Sequence, residues 1–350
     1  MSNLVEDRIE FVRTQFQKLP KKIYVGFSGG KDSSAVIKIL YAALKRSRRR
    51  TSVEVIYCDT GVENPVIDSY VKSVTKTLDR EAKKDGIALK CRIIEPELDR
   101  SYFVRVIGRG YPPPTNTFRW CTTDIRIRPF QSFLRSAADP KVVTIGTRRG
   151  ESVQRDRSLN LAQSVGKFDQ NFYQLQRDGF PGAILFTPII DFEVEDVWTA
   201  LVDIESPKCL SPSVLAGLYR DGSGECPTVR DFKDKPCSRA RFGCWTCTVV
   251  RKDRSSESMI EQGHDLLRPY LEFRNWLSEI RNYPKYRCRR RRNGVDAPGP
   301  INLTGRKEIL TRIDRLEVLT GQQILSAAQR QRITELWLRD LESTHYLSIE

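Results

Sequence analysis

The first two hundred residues alternate short β-branched runs with longer amphipathic stretches. The short runs are typical of strands, and the amphipathic stretches have the spacing of helices. The predicted strands are Lys22–Phe27, Val53–Cys58, Ala88–Ile94, Val142–Ile145 and Ile184–Phe186. The predicted helices between them lie near residues 32–45, 64–84, 124–137 and 193–204. This alternation predicts an α/β fold with a doubly wound parallel sheet over residues 1–204.

The pattern changes after residue 204. Residues 205–255 lack periodicity and are rich in Pro, Gly and Cys, so we predict an insert built from loops that a bound metal centre would order. From residue 256 onward, helical spacing returns in segments near 256–281, 305–317 and 322–343. We therefore predict a cysteine-rich segment over 205–255 and a helical C-terminal region over 256–350.

The composition is that of a globular protein with a basic bias. The chain is 39% hydrophobic and 29% charged, which excludes a disordered or collagen-like protein. It has no apolar run of about 18 residues and no leader with a basic start, so we expect no membrane span, no signal peptide and a cytoplasmic location. Lys plus Arg outnumber Asp plus Glu by 59 to 44. This excess indicates a nucleotide or a polyanionic partner.

The most concentrated positive charge lies between residues 281 and 292. This stretch contains no acidic residue, and it ends in four consecutive arginines: Arg289, Arg290, Arg291 and Arg292. Like charges repel one another unless an anion relieves them, so we predict that these four side chains contact phosphates. The alternative is a solvated surface loop.

A predicted strand runs into a Ser-Gly-Gly loop and then into a predicted helix. The two glycines let backbone N–H groups curl around an anion, the serines add hydroxyl donors, and the start of the helix adds the positive end of its dipole. The sequence therefore predicts a phosphate-binding loop. It is not a Walker A loop, because no G-x-x-x-x-G-K-[ST] string is present. The residues of the loop are Ser28, Gly29, Gly30, Lys31, Asp32 and Ser33.

Four of the nine cysteines lie within 22 residues: Cys226, Cys237, Cys244 and Cys247. Disulfides are not expected in a cytosolic chain, so such a group indicates a metal or iron–sulfur site. Four thiolates can hold one tetrahedral zinc ion or one [4Fe–4S] cluster. The spacing fits neither a zinc ribbon nor the ferredoxin run, so the spacing alone leaves the metal open.

Four motifs occur in the order found in the N-type ATP pyrophosphatases, which are the PP-loop members of the adenine-nucleotide alpha hydrolases and include the sulfonucleotide reductases. S-G-G-x-D-S at 28–33 resembles the PP-loop, and D-T-G at 59–61 is similar to a string in the reductase-like branch. R-W-C-T at 119–122 and G-x-R-x-x-E-S-x-x-R at 146–155 resemble two further motifs of that branch. The resemblance covers about residues 20–255 and implies a HUP-like PP-loop ATPase fold.

This resemblance implies a role for each motif. The loop would hold the pyrophosphate end of ATP and leave the α-phosphorus open to attack, with Asp32 as a ligand of Mg²⁺. Asp59 and Gly146 would complete the ATP site. The alternative for Asp59 is a helix cap. The alternative for Arg148 and Arg155 is a surface face that forms salt bridges. The residues that would neutralise phosphate charge during catalysis are Lys31, Arg148 and Arg155.

The string R-F-G-C-W-T-C at 241–247 resembles a segment of the DndC-type branch and of the related SspD proteins. These are the ATP pyrophosphatase components of bacterial DNA phosphorothioate modification, a restriction and phage-defence system. Members carry an iron–sulfur cluster and act with a cysteine desulfurase and other proteins of the system. The resemblance implies a [4Fe–4S] cluster on Cys237, Cys244 and Cys247, with Cys226 or Cys288 as fourth ligand and zinc as the alternative.

The implied activity is adenylation of a DNA backbone phosphate by ATP, with AMP and pyrophosphate as products and sulfur replacing a non-bridging oxygen. Cys121 in R-W-C-T would carry a persulfide beside the nucleotide, and structural packing is its alternative. The arginines at 289–292 would contact the DNA. Three other functions share these motifs: a sulfonucleotide reductase, a tRNA-thiolating enzyme, and an ATP-gated DNA-binding module. The reductase is less favoured because no cysteine follows Cys288.

Overall fold

The structure is a computed structural model that describes residues 2–48, 51–137, 141–150, 167–169, 171–174, 183–223, 242–343 and 346. Within these residues, seven strands form one sheet in the order β3-β2-β1-β4-β7-β6-β5. The strands are β1 (Lys22–Phe27), β2 (Ser52–Cys58), β3 (Leu89–Ile94), β4 (Val142–Thr144), β5 (Lys167–Asp169), β6 (Phe172–Gln174) and β7 (Ile184–Phe186). Strands β3, β2, β1, β4 and β7 are parallel, and β6 pairs antiparallel with both β7 and β5.

Helices cover the sheet and form the C-terminal part of the chain. In the described residues the α-helices are α1 (Asn3–Lys18), α2 (Lys31–Arg46), α3 (Pro65–Lys84), α4 (Arg128–Arg135), α5 (Val194–Asp203), α6 (Pro212–Ser223), α7 (Arg254–Glu261), α8 (Arg268–Ile280), α9 (Leu303–Thr320) and α10 (Ala327–Glu342). Two π-helical turns cover Val104–Gly108 and Thr122–Ile127. Among the helices of the described ranges, none is long and apolar enough to cross a bilayer.

Strand β1 lies in the middle of the sheet because both of its faces are apolar. Ile23 and Val25 are buried on one face against α1 and α2, while Tyr24 is buried on the other face with residues of α4 and β7. The strand order reverses between β1 and β4, since β2 and β3 lie on one side of β1 and the later strands lie on the other. The carboxyl ends of strands at such a reversal are where open α/β sheets bind ligands.

The predicted α/β fold with a helical C-terminal part is confirmed, and the five predicted strands are present. The β5–β6 hairpin is not among the predicted strands, because Lys167–Asp169 contains two charged residues and neither segment is a β-branched run. The predicted helix at 256–281 is wrong as one element. It is divided into α7 and α8, and Gly263 between them has φ +95°, which a helix does not accommodate.

The segment 205–255 is not built only from loops, as the sequence predicted. Helix α6 lies inside it, and Leu215 and Tyr219 of this helix are buried in the same core as α2 and α3. Their spacing of four residues places both on one face of the helix. The many glycines and prolines nearby indicated a loop, so the local composition gave the wrong prediction for this helix. The predicted boundaries of the three regions remain predictions.

The C-terminal helices do not stand apart from the sheet domain. Leu277 of α8, Ile309 of α9 and Ile333 of α10 are buried together with the turn at 104–108. Arg306 of α9 is fully buried, and its Nη1 donates to the Gly108 carbonyl oxygen at 2.8 Å and to Asp340 Oδ2 at 2.7 Å. A buried guanidinium that has a carboxylate partner and a carbonyl acceptor ties α9 and α10 to this turn.

Candidate functional site

The predicted phosphate loop joins β1 to α2 and is held by its own serines. The Oγ atoms of Ser28 and Ser33 lie 3.2 Å apart, and the Ser28 N–H donates to Ser33 Oγ at 3.3 Å. Gly29 has φ +76°, and a Cβ atom at this position would lie 2.3 Å from Val71 Cγ2 of α3. The loop therefore requires glycine at residue 29 both for its backbone conformation and for its packing against α3.

The G-x-R motif after β4 meets the phosphate loop. A Cβ atom on Gly146 would lie 2.7 Å from the Asp32 carbonyl carbon and 2.8 Å from the Ser33 backbone nitrogen. Only a residue without a side chain allows the end of β4 to approach the start of α2 this closely. The first N–H groups of a helix have no acceptor within the helix and can bind an anion. The end of β4 therefore lies next to the anion-binding donors at the start of α2.

Two buried cations flank the start of α2. Arg148 is 4% exposed, and its Nε lies 2.5 Å from Asp32 Oδ1, while Lys31 is 6% exposed, and its Nζ lies 3.1 Å from Asp32 Oδ2. Arg148 also donates from Nη1 to the Phe192 carbonyl oxygen at 3.2 Å. The surface alternative is therefore wrong for Arg148, whereas the neighbouring Arg149 is exposed. Two cations and one carboxylate leave a net positive charge beside the loop, as an anion site needs.

Asp59 lies at the carboxyl end of β2, on the edge of the sheet where the phosphate loop also lies. Its Oδ1 accepts the Gly61 N–H at 2.9 Å, and its Oδ2 pairs with Lys72 Nζ at 2.7 Å. The helix-cap alternative for Asp59 is wrong, because Asn64 caps α3 and accepts the Val66 N–H at 3.0 Å. The Mg²⁺ role of Asp32 stays a prediction, as does the ATP contact of Asp59. Arg155 lies outside the described residues.

The turn that contains Cys244 and Cys247 docks on the loop between β2 and α3. Cys244 forms an isolated antiparallel bridge with Glu63, and the Trp245 N–H donates to the Val62 carbonyl oxygen at 2.9 Å. Trp245 is 5% exposed and packs among aromatic side chains of Phe103 and α8. The turn is thus anchored between the sheet edge and the C-terminal helices.

Residues that the sequence did not single out surround the Cys244 sulfur. Arg126 donates from Nη2 to Cys244 Sγ at 3.4 Å and to Glu63 Oε1 at 2.8 Å, and Cys58 Sγ donates to the Ile125 carbonyl oxygen at 3.3 Å. Burial raises the pKa of the Cys244 thiol to about 12 and raises the pKa of the Cys58 thiol to about 12. A metal would therefore have to displace the proton of a buried thiol that already has a cationic neighbour.

The four-cysteine site is described only in part. Cys226 and Cys237 lie outside the described residues, and among the residues that are described no group of three or more His, Cys, Asp or Glu side chains is arranged to hold a metal ion. Cys121 is half-buried and packs against the cluster that includes Cys244. Burial, and to a smaller extent the charge of Cys247, raises the pKa of Cys121. Its persulfide role remains a prediction.

Cys288, the competing fourth ligand, is buried in a small separate cluster with Tyr346, whose hydroxyl lies 3.7 Å from its sulfur. The four arginines that follow it are exposed. Arg292 Nη2 donates to the Arg109 carbonyl oxygen at 2.7 Å, which fixes the end of this run against the turn at 104–108. The separate cluster disfavours Cys288 as a ligand beside Cys244, and the arginines are accessible to an anion.

Tyr219 of α6 connects the phosphate loop to the cysteine turn. Its hydroxyl accepts the Lys31 N–H at 3.2 Å, and Lys31 Nζ lies 5.2 Å from the centre of its ring. On its other side, the ring lies 5.3 Å from the ring of Phe242, two residues before Cys244. The sequence did not single out Tyr219, although its spacing of four from Leu215 was a signal of burial.

The sequence profile of the family described as phosphoadenosine phosphosulfate reductase domain matches residues 22–250. A protein of Methanocaldococcus jannaschii described as uncharacterized is 25% identical over 292 residues, which are 79% of this chain and 47% of that protein. The chain therefore spans about half the length of this curated relative.

Two solved structures match this chain at low similarity. Phosphoadenylyl-sulfate reductase from Candida auris is 12% identical, with 56% of this chain and 78% of that chain covered and a TM-score of 0.34. The U34-tRNA thiolase NcsA from Methanococcus maripaludis, solved with its [4Fe-4S] cluster, is 13% identical, with 79% of each chain covered and a TM-score of 0.36.

Proposed function

The chain belongs to the phosphoadenosine phosphosulfate reductase domain family, and we propose that it is an ATP pyrophosphatase that adenylates a backbone phosphate of DNA for replacement of an oxygen by sulfur. One observation carries this proposal: a glycine-rich loop at the switch point of the sheet is flanked by the buried cations Lys31 and Arg148. This arrangement suits the triphosphate of ATP, because backbone N–H groups and cations converge on one place.

The first step is displacement at the α-phosphorus of ATP. A non-bridging oxygen of the DNA phosphate forms the new P–O bond, the bond to the β-phosphate oxygen breaks, and pyrophosphate leaves. Lys31 and Arg148 would stabilise the charge that gathers on the leaving pyrophosphate. Asp32, which now bridges the two cations, would bind Mg²⁺ when the triphosphate is present, because the phosphates take over its pairing with Lys31 and Arg148.

The second step replaces the activated oxygen. A sulfur nucleophile attacks the DNA phosphorus, and AMP leaves with the oxygen that it had activated. Sulfur delivered as hydrosulfide needs no redox change, whereas sulfur delivered as a persulfide on Cys121 needs a thiol to supply two electrons when the S–S bond breaks. A cysteine desulfurase and other phosphorothioation proteins are the proposed partners.

The proposed [4Fe–4S] cluster would be held by Cys226, Cys237, Cys244 and Cys247, with zinc as the alternative metal. The donor chemistry fits, since thiolates are the ligands of such clusters and Cys244 and Cys247 lie on one turn closed by a 2.9 Å backbone hydrogen bond. When bound, the cluster would supply an iron that can take sulfur. Arg126 would stabilise the negative charge on the Cys244 sulfur through its 3.4 Å hydrogen bond.

The test is an anaerobic ATP assay on purified protein with duplex DNA, a cysteine desulfurase and cysteine, with the absorption spectrum recorded beside it. We expect AMP and pyrophosphate in equal amounts, a brown protein, and phosphorothioate dinucleotides after nuclease digestion. Asp32→Ala should abolish pyrophosphate release, and Asp191→Ala, on an exposed carboxylate that pairs with Arg8, is its control. Normal turnover by Asp32→Ala would refute the assignment of the loop.

The same assay separates the alternatives. Sulfite release from a sulfate ester would indicate a sulfonucleotide reductase, and a thiolated nucleoside from tRNA would indicate a tRNA thiolase. DNA binding that ATP modulates without any AMP would indicate an ATP-gated binding module. A colourless protein prepared without oxygen and containing zinc would exclude the iron–sulfur cluster.

A further inference from the structure

A surface pocket of about 160 Å³ lies between α4 and the turn at 98–100 that follows β3. All of its lining residues are polar, and three are arginines: Glu97, Arg100, Arg128, Gln131, Ser132 and Arg135. The four lining residues from α4 have relative positions i, i+3, i+4 and i+7, which is one face of a helix. The opposite face of α4 is buried through Pro129 and Leu134, so the packing of the helix directs the polar face outward.

This pocket has more arginines than the acids around it can neutralise. The buried carboxylate of Asp124 pairs with Arg100 Nη1 at 3.0 Å, with Arg105 Nη2 at 3.0 Å and with Arg128 Nε at 3.3 Å. Glu97 pairs with Arg100 at 3.2 Å. Arg135 has no ion-pair partner within the described part of the chain. Four guanidinium groups beside two carboxylates attract an anion.

The pocket adjoins the candidate site. The π-helical turn Thr122–Ile127 carries Asp124, which holds the pocket arginines, and Arg126, which contacts Cys244. Cys121 immediately precedes this turn. The pocket and the surroundings of Cys244 are thus built in part from the same turn.

The pocket is also linked to the exposed arginines at 289–292. Arg292 donates to the carbonyl oxygen of Arg109, and the Arg109 guanidinium pairs with Asp99 at 3.0 Å. Asp99 directly precedes Arg100 of the pocket. The two basic regions are thus connected through the contacts of Arg109 and Asp99.

We propose that this pocket binds backbone phosphates of the DNA acceptor strand, an inference that rests on the proposed function and deepens it. Arg128 and Arg135 are separated by a helical rise of about 10.5 Å at 1.5 Å per residue. Arginine side chains at this separation can contact different phosphates of the backbone, and such contacts position a strand.

The test compares two double variants that remove the same charge at the same helical spacing. Arg128→Ala/Arg135→Ala changes the pocket, and Lys76→Ala/Lys83→Ala changes an exposed face of α3. Fluorescence anisotropy with a duplex of about 20 base pairs would be recorded at several salt concentrations. Each lost phosphate contact lowers the slope of log K against log salt by about 0.9, so the pocket variant should lose about 1.8 in slope and at least tenfold in affinity at low salt.

The α3 variant should bind DNA like the unmodified protein, and both variants should bind a non-hydrolysable ATP analogue normally. Arg135→Glu supplies a second variant that breaks no ion pair within the described residues and should also lose DNA affinity. Unchanged DNA affinity and salt slope in both pocket variants would overturn the proposal. So would a loss confined to free phosphate or pyrophosphate binding, because that result would assign the pocket to a small anion.

The failure of the proposed function is distinguishable from the failure of this inference. If the pocket variants lose DNA binding while the unmodified protein forms no AMP, the surface is supported and the chemistry is refuted. If the unmodified protein forms AMP with DNA, and AMP formation by the pocket variants depends on DNA concentration in the same way, the chemistry is supported. The assignment of DNA binding to the pocket is then refuted.

Discussion

Replacement of Arg148 by methionine tests whether the cation beside the phosphate loop acts on ATP. The change removes the guanidinium and keeps an unbranched apolar stem of similar length. Two hydrogen bonds are lost, one from Nε to Asp32 at 2.5 Å and one from Nη1 to the Phe192 carbonyl oxygen at 3.2 Å. The buried Asp32 carboxylate keeps Lys31 as its partner at 3.1 Å.

These contacts set the expected magnitudes. Breaking a buried ion pair costs about 3–5 kcal/mol when the remaining charge has no partner. Because Lys31 still pairs with Asp32, we expect Arg148→Met to lower the free energy of unfolding by about 3 kcal/mol, which is two hydrogen bonds at the lower value of about 1.5 kcal/mol each. A domain with about 5–15 kcal/mol of stability stays folded after this loss. Loss of one preorganised donor to transition-state charge lowers turnover by about 10²–10³-fold.

The assay measures AMP release with DNA present, affinity for a non-hydrolysable ATP analogue, and urea unfolding. Arg149→Met is the matched control, because it removes the same group from the next residue, which is exposed, and should change each quantity little. Arg148→Lys keeps the charge without the planar fork and should show a smaller loss. Turnover by folded Arg148→Met within about threefold of both the unmodified protein and Arg149→Met would refute a role at the phosphates.

Three further predictions concern the loop and the cysteine turn. Gly29→Ala should lower the free energy of unfolding in urea by about 2–4 kcal/mol, since left-handed backbone costs about 1–2 kcal/mol and the added Cβ meets a methyl group. Gly61→Ala is the control, because Gly61 has φ +71° and open space around it, and its substitution should cost about 1–2 kcal/mol. Equal losses in the two variants would exclude the packing effect. Cys244→Ser should remove the visible absorption of anaerobic protein and its iron, with Cys209→Ser as the control that keeps both. Tyr219→Phe should strengthen binding of an ATP analogue by about two- to tenfold, because the lost hydroxyl competes with phosphate for a loop N–H; weaker binding measured by calorimetry would contradict this.

The phosphate loop was predictable because its whole signal lies in one continuous string. Glycines, serines and a strand before a helix are all local features, and the structure places them as the string implies. A place for Gly146 in the ATP site was implied only by a resemblance, and its contact with Asp32 was not predicted, since the two residues are more than a hundred positions apart. No local pattern states which distant strand end will meet a loop.

The surroundings of the cysteine turn could not be predicted for the same reason. Arg126 and Glu63 come from segments separate from that of Cys244, and neither carries a signal in its own segment. Charge counting directed attention to the run at 289–292, yet the pocket on α4 has its arginines spaced along a helix rather than in sequence. A run of like charge is visible in a sequence, whereas a helical face can be assigned only when the bounds of the helix are known. The sequence predicted that this helix begins at residue 124, and in the structure it begins at Arg128.

The phosphate loop and the cysteine turn are joined by two separate routes, which would couple the proposed ATP cleavage to the proposed sulfur chemistry. Gly29 packs on Val71 of α3, and the loop that precedes α3 holds the cysteine turn through Glu63. The second route runs from the Lys31 N–H through Tyr219 to Phe242. A phosphate that takes the Lys31 N–H must shift the Tyr219 hydroxyl, and the close-packed ring contact passes that shift toward the turn. Under the proposed function, a nucleotide in the loop would thereby act on the position of Cys244 through Tyr219 and Phe242.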